Sequence, residues 1–127
     1  MPISVLTTFF LSALITLGLV HVTALHFFLY WKYLWLDIPV HLLGGVTVSL
    51  GVMLMVRVLF PRLYRHVTII TVVLTVIGIG VLWEVFEYSI GVPVDAEGFM
   101  VDTAIDLLMD VCGALVGYGL NEQLKKI

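Results

Sequence analysis

Four apolar stretches account for nearly the whole of this chain: Ile3 to Leu29, Ile38 to Phe60, Val67 to Ile90 and Phe99 to Leu120. Each exceeds the roughly 20 residues that a helix rising about 1.5 Å per residue needs to cross about 30 Å of hydrocarbon. The expected fold is therefore all-α: a single integral membrane four-helix bundle over residues 1–127, with helices at about 3–29, 38–60, 67–90 and 99–120. The composition agrees, because 61% hydrophobic residues, 12% charged residues and a mean hydropathy of +1.16 lie outside the range of soluble globular domains. The first stretch reads as a permanent helix rather than a secretory signal, since Met1 to Phe10 carries no Lys or Arg and the apolar run is too long for a signal core. A net charge of −3 argues against nucleic-acid binding, and the single cysteine, Cys112, permits no internal disulfide.

Basic residues set the expected orientation, because loops rich in Lys and Arg stay cytoplasmic. Arg57, Arg62 and Arg65 surround the joint between the second and third helices, and Lys125 and Lys126 lie near the end of the chain. Four crossings put those two regions on one side, so both termini are expected to be cytoplasmic. Lys32, Asp37, Asp95 and Glu97 fall on the other side. An aromatic belt of Phe27, Phe28, Tyr30, Trp31, Tyr33 and Trp35 marks the outer interface, with Trp83, Phe86 and Tyr88 extending it on the third helix.

Against this background six carboxylates stand out: Asp37, Glu84, Glu87, Asp102, Asp106 and Asp110. A charge at bilayer depth costs about 2.5–3.5 kcal/mol even on the lenient insertion scale. Asp102, Asp106 and Asp110 advance about 40° per step of four residues, so they form one stripe about 12 Å long on the fourth helix. Glu84 and Glu87 share a face of the third helix, and Asp37 and His41 share one on the second. Gly44 and Gly45, Gly80, Gly113 and Gly117 continue these polar stripes toward the cytoplasm. Small residues let helices approach closely in lipid, which turns the acidic faces inward. On the first helix His21 follows Gly18 in the same relation, while His26 lies about 140° away and cannot face the same centre.

Interhelical hydrogen-bonding glue does not require six acids, and like charges packed together must take up protons or find a cation. Lys32 is the only basic residue on the outer side, so protein cations do not neutralise them. Three solutions answer the charge: bound metal ions, a proton relay, or a water-filled cation path. Carboxylates with one imidazole suit Mg²⁺, Ca²⁺, Mn²⁺, Zn²⁺ or Fe²⁺, and oxygen dominance favours the harder ions. Inward Glu and His on facing helices are an established way to build such a site in a four-helix bundle.

The pattern Asp37-x-x-x-His41-x-x-Gly44, then Trp83-Glu84-x-x-Glu87, then Asp102-x-x-x-Asp106-x-x-x-Asp110-x-x-Gly113 resembles the YjdF-type family of small bacterial inner-membrane proteins. More distantly it is similar to the VanZ-like proteins. The resemblance runs from Asp37 to Gly119 and implies a prokaryotic cytoplasmic membrane. VanZ-like proteins are associated with glycopeptide resistance. Their pattern has Gln at the position of Glu87 and Asn at that of Asp110, so this chain is the more acidic. YjdF-type proteins also tend to be longer, which makes this chain read as a minimal core.

The first expected function is a divalent-cation-binding membrane protein whose pocket opens away from the cytoplasm, acting as a metal-dependent hydrolase or transferase on a lipid-linked substrate. His41, Glu84, Glu87, Asp106 and Asp110 are the expected metal ligands, with Asp37 or Asp102 as general base. No Ser or Cys is placed as a nucleophile: Ser89 has no partner in the pattern and Cys112 lies off the acidic stripe. A cation or proton carrier is the alternative, but only Thr47, Ser49, Thr71 and Thr75 are available to continue its path through the cytoplasmic half. A non-catalytic protein with a structural Ca²⁺ is a third. A homodimer through the glycine faces is compatible with any of them.

Overall fold

In the computed structural model, which describes residues 2–93 and 98–126, the chain is helical with no strand among the described residues. The long elements are α1 (Ile3–His26), α3 (Asp37–Leu59), α5 (Ile69–Ile90) and α6 (Phe99–Leu124), with the single-turn helices α2 (Leu29–Lys32) and α4 (Pro61–Tyr64) between them. Three helical segments, Ile3–His26, Leu34–Leu59 and Ile69–Ile90, are long and apolar enough to cross a membrane. Asp95 and Glu97, which the sequence places on the outer side, lie outside the described residues.

The first helix ends three residues before the expected Leu29. Phe28 adopts a left-handed conformation (φ 54°), and the chain then turns through α2 and a 3₁₀ turn at Leu34–Leu36 that runs directly into α3. This segment folds Tyr30 inward until it is 2% exposed, although its neighbours Trp31, Tyr33 and Trp35 stay on the surface. Thr68 caps α5 by accepting from the Thr71 amide, and Gly91, in the left-handed region (φ 75°), ends it. Both are ordinary solutions for unpaired terminal groups.

Exposure runs opposite to that of a soluble protein. Leu19, Leu74, Leu82 and Val85 are each more than three-fifths exposed, whereas Asp37, His41, Glu84, Glu87, Asp106 and Asp110 are all buried. Apolar surface on this scale is suited to hydrocarbon rather than water. α3 packs most closely on α6, and also against α1 and α5, while α5 packs on α6.

Glycines set the α3–α6 distance. A Cβ at Gly45 would fall on the Asp110 carbonyl, one at Gly113 on the Leu42 carbonyl, and one at Gly117 on the Ser49 hydroxyl. Overpacking of this kind costs about 1–3 kcal/mol. Gly45→Ala and Gly113→Ala are therefore expected to lower the thermal midpoint of the detergent-purified protein. Gly18→Ala and Gly119→Ala, where nothing lies within 4 Å, are expected to leave it unchanged or raise it, since Ala is favoured over Gly in helices by about 1 kcal/mol. At the far end of α6, Asn121 is buried and accepts from the Tyr64 hydroxyl at 2.8 Å, and the Arg57 and Lys125 cations lie over the Tyr64 ring.

Candidate metal centre

His41 stands one turn into α3, its imidazole 3% exposed, with acids on both sides of the ring. Its Nε2 faces Glu84 Oε1 at 3.3 Å, Glu87 Oε2 at 3.6 Å and Asp37 Oδ1 at 3.7 Å. Its Nδ1 faces Asp110 Oδ2 at 3.3 Å. Asp106 belongs to the same cluster: ligand atoms of Asp37, His41 and Asp106 lie within 4.8 Å of one another, as do those of His41, Glu84 and Glu87. Three helices supply these side chains for reasons of spacing: the four-residue step from Asp37 to His41, the three-residue step from Glu84 to Glu87, and the four-residue step from Asp106 to Asp110 each keep two groups on one inward face.

The separations themselves are informative. Charge-assisted hydrogen bonds close to about 2.7–2.9 Å, and the contacts to Nε2 are longer than that. Two ligand atoms bound to one ion at about 2.1–2.3 Å stand about 3.0–3.8 Å apart, from octahedral to tetrahedral angles. All three separations at Nε2 fall in that interval. Asp37 Oδ1, His41 Nε2, Glu84 Oε1, Glu87 Oε1, Asp106 Oδ2 and Asp110 Oδ2 are each buried and without a hydrogen-bond partner. Buried polar atoms in native proteins are nearly always paired, so five unpaired carboxylate oxygens with the unpaired Nε2 of the ring they surround are suited to a cation.

Asp102 is only partly buried and stands toward the start of α6. With Asp37 and Asp106 it lines a cavity of about 190 Å³ walled by Leu34, Trp35, Ile38 and Ile105. The structure thus brings His41, Asp37, Glu84, Glu87, Asp106 and Asp110 together and leaves Asp102 at the mouth. Ser89 bonds the Phe86 carbonyl of its own helix and is exposed. The hydroxyls of Thr47, Ser49 and Thr75 likewise bond carbonyls of their own helices, and Thr71 pairs with Thr68.

Sequence reading passed over three contributors. Thr103 donates to Glu84 Oε2 at 2.9 Å and fixes that carboxylate; a Thr beside an acid on a polar helix face is the signal that was available. The Tyr30 hydroxyl shares a hydrogen bond of 2.8 Å with His21 Nδ1, and burial, followed by the charges of Asp37 and Glu87, pushes its phenol well above the usual range. Trp83 packs edge-on against the His21 ring with centroids 4.9 Å apart. It is therefore not simply part of an outer belt. His26 is exposed and stacks on Phe27, away from the cluster.

A family model described as a predicted membrane protein, DUF2238, matches residues 2–124, so the chain belongs to that family. No curated protein matches the chain, and no solved structure does.

Proposed function

Taking the chain as a member of this membrane-protein family, we propose that it is a divalent-cation-binding protein of the prokaryotic inner membrane and a metal-dependent hydrolase or transferase for a lipid-linked substrate. The observation behind this reading is the ring of six buried, unpaired oxygen and nitrogen atoms centred on His41. At most one positive charge, on the imidazole, faces five carboxylates there, and a divalent ion answers the imbalance, since the Lys32 ammonium lies over the Tyr33 ring. The YjdF-type resemblance rests on the same residues and is consistent with it.

In the proposed arrangement α6 makes a fourth crossing despite its acids, both termini are cytoplasmic, and the pocket opens outward. Asp37 joins His41, Glu84, Glu87 and Asp106 as a ligand, because its oxygen shares the Nε2 side of the ring. Asp110, on the Nδ1 side, orients the imidazole. Sequence spacing instead gives Asp110 a ligand's part and Asp37 that of a general base. Asp102, outside the ligating group and lining the 190 Å³ cavity, is the candidate general base. A bound divalent ion supplies Lewis acidity toward a phosphoryl or carbonyl oxygen.

A continuous cation path is the weaker reading, because the hydroxyls that would extend it toward the cytoplasm are already engaged within their own helices or with each other. The test is metal analysis of detergent-purified protein. Stoichiometric divalent metal is expected in the wild type and not in Glu84→Gln/Asp106→Asn. If the wild type holds none and divalent ions leave its melting temperature unchanged, the reading is lost.

A further inference from the structure

The cluster has two approaches of opposite character. One is the acidic cavity of Asp37, Asp102 and Asp106. The other is a cavity of about 230 Å³ lined by Leu14 and Leu17 of α1, Val40, Val48 and their neighbours on α3, and Val76 and Ile79 of α5. Its walls are hydrocarbon, and His41 and Asp110 stand at its polar limit. Two glycines make that junction. A Cβ at Gly80 would strike Asp110 Oδ2, and one at Gly44 would sit 3.7 Å from Asp110 Oδ1. The bare backbone at both positions lets the apolar space reach a carboxylate that is 5% exposed and whose Oδ2 has no hydrogen-bond partner.

Val48 and Ile79 also line a second, more open groove of about 580 Å³ that continues past Gly51 and Val52 to Val58 and Leu59. From His41 to Val58 the trough follows α3 for roughly 25 Å at about 1.5 Å per residue. Its far end is surfaced by exposed Met55, Val58 and Leu59, on the face suited to lipid. At the other end the Trp83–His21 contact bridges α5 and α1. The groove lies alongside helices of membrane-crossing length and apolarity, α1, α3 and α5.

The geometry points to this trough as the seat of one hydrocarbon chain of a phosphate-bearing lipid, with the phosphate carried to the His41 cluster through its divalent ion. The inference rests on the proposed metal site for the headgroup and stands independently of it for the chain. The headgroup assignment follows from charge. A phosphate meets no Arg or Lys among the residues lining either cavity, so an anionic oxygen can approach five carboxylates only across a cation. An amphiphile matches this pairing of an apolar cavity with a charged cluster at its end: the chain occupies the apolar side, and the head sits at the His41 end of that cavity. A water-soluble phosphate would leave the trough without a role.

The test uses full-length protein reconstituted in phosphatidylcholine vesicles containing a phosphatidic acid with a diazirine on one acyl chain. Photolabelled residues are mapped by mass spectrometry, and metal content is measured on the same sample. Labelling is expected to concentrate at the buried Val76 and half-buried Val48, above that of exposed positions. Val48→Trp, which fills the wall shared by both cavities, is expected to reduce labelling at Val76 by about tenfold or more, equivalent to about 1.4 kcal/mol of chain binding. Metal content should not change. Ile79→Trp provides a second block, with reduced labelling expected at Val48 and Val76, and Leu19→Trp, on the exposed face of α1, should change neither readout.

Labelling spread evenly over exposed positions such as Leu19 and Leu82, with no effect of either block, overturns the inference. Chelation separates the two parts. Loss of phosphatidic acid labelling on chelation, with a diazirine diacylglycerol unaffected, supports phosphate recognition through the ion. A wild type without metal that still labels at Val48 and Val76 sinks the metal reading and the headgroup assignment, and leaves the chain site standing.

Discussion

His41→Ala is expected to raise the dissociation constant for divalent ions by more than about a hundredfold, beyond the 10–100-fold typical of removing an outer-shell partner, whereas Asp110→Asn should fall within that range. The distinction comes from the two ring nitrogens. Nε2 looks toward Asp37, Glu84 and Glu87, and Nδ1 toward Asp110 alone. Removing the ring deletes the group around which the acids are arranged. Removing the charge of Asp110 leaves every other oxygen in place and loosens only the orientation and basicity of the imidazole. Competition with a chromogenic chelator in detergent would measure both constants, and size-exclusion profiles would confirm that the variants remain folded. Asp110→Asn equalling His41→Ala would place Asp110 among the ligands, as spacing alone suggests. No effect of either would remove His41 from the site.

Sequence spacing and the structure agree most closely where one helix contains all the information. The four-residue step from Asp106 to Asp110 defines an inward stripe on α6 without reference to any other helix, and the glycines beside it predict close helix approach, which the structure has at Gly45 and Gly113. Apolar composition likewise indicates membrane-crossing length for α1, α3 and α5. Facts that depend on several helices are not legible in this way. Spacing shows that Asp37 and Asp110 both face inward, but only the relative depth and rotation of α3 and α6 decide which side of the imidazole each occupies. The end of α1 is hidden for a different reason. The run from Leu25 to Trp31 contains neither Gly nor Pro, and the left-handed turn falls on Phe28, a residue type that rarely adopts it. That turn carries Tyr30 inward against His21, which is why an apparent belt residue belongs beside the site.

The double variant Glu84→Gln/Asp106→Asn is expected to change the sign of its effect on stability with metal. Glu84 pairs with Glu87, and Asp106 with Asp37, among carboxylates whose oxygens lie within 4.8 Å of one another. At that separation and an effective dielectric constant of about 20, two unit charges repel by about 3–4 kcal/mol, the upper bound that proton uptake reduces. In excess chelator, neutralising one member of each pair removes this repulsion, and the amide oxygen that replaces the Glu84 carboxylate can still accept from Thr103. The variant should then unfold at a higher temperature than the wild type. With a divalent ion at about 100 times the wild-type dissociation constant, the wild type gains about 2.7 kcal/mol from binding. The variant, having lost two charged ligands, does not. The wild type should then be the more stable of the two, or the gap should close by that amount. Thermal melts of both proteins in detergent, with and without chelator, decide it. A variant less stable than the wild type by the same margin in both conditions would mean that these acids stabilise helix packing through direct contacts, with no cation involved.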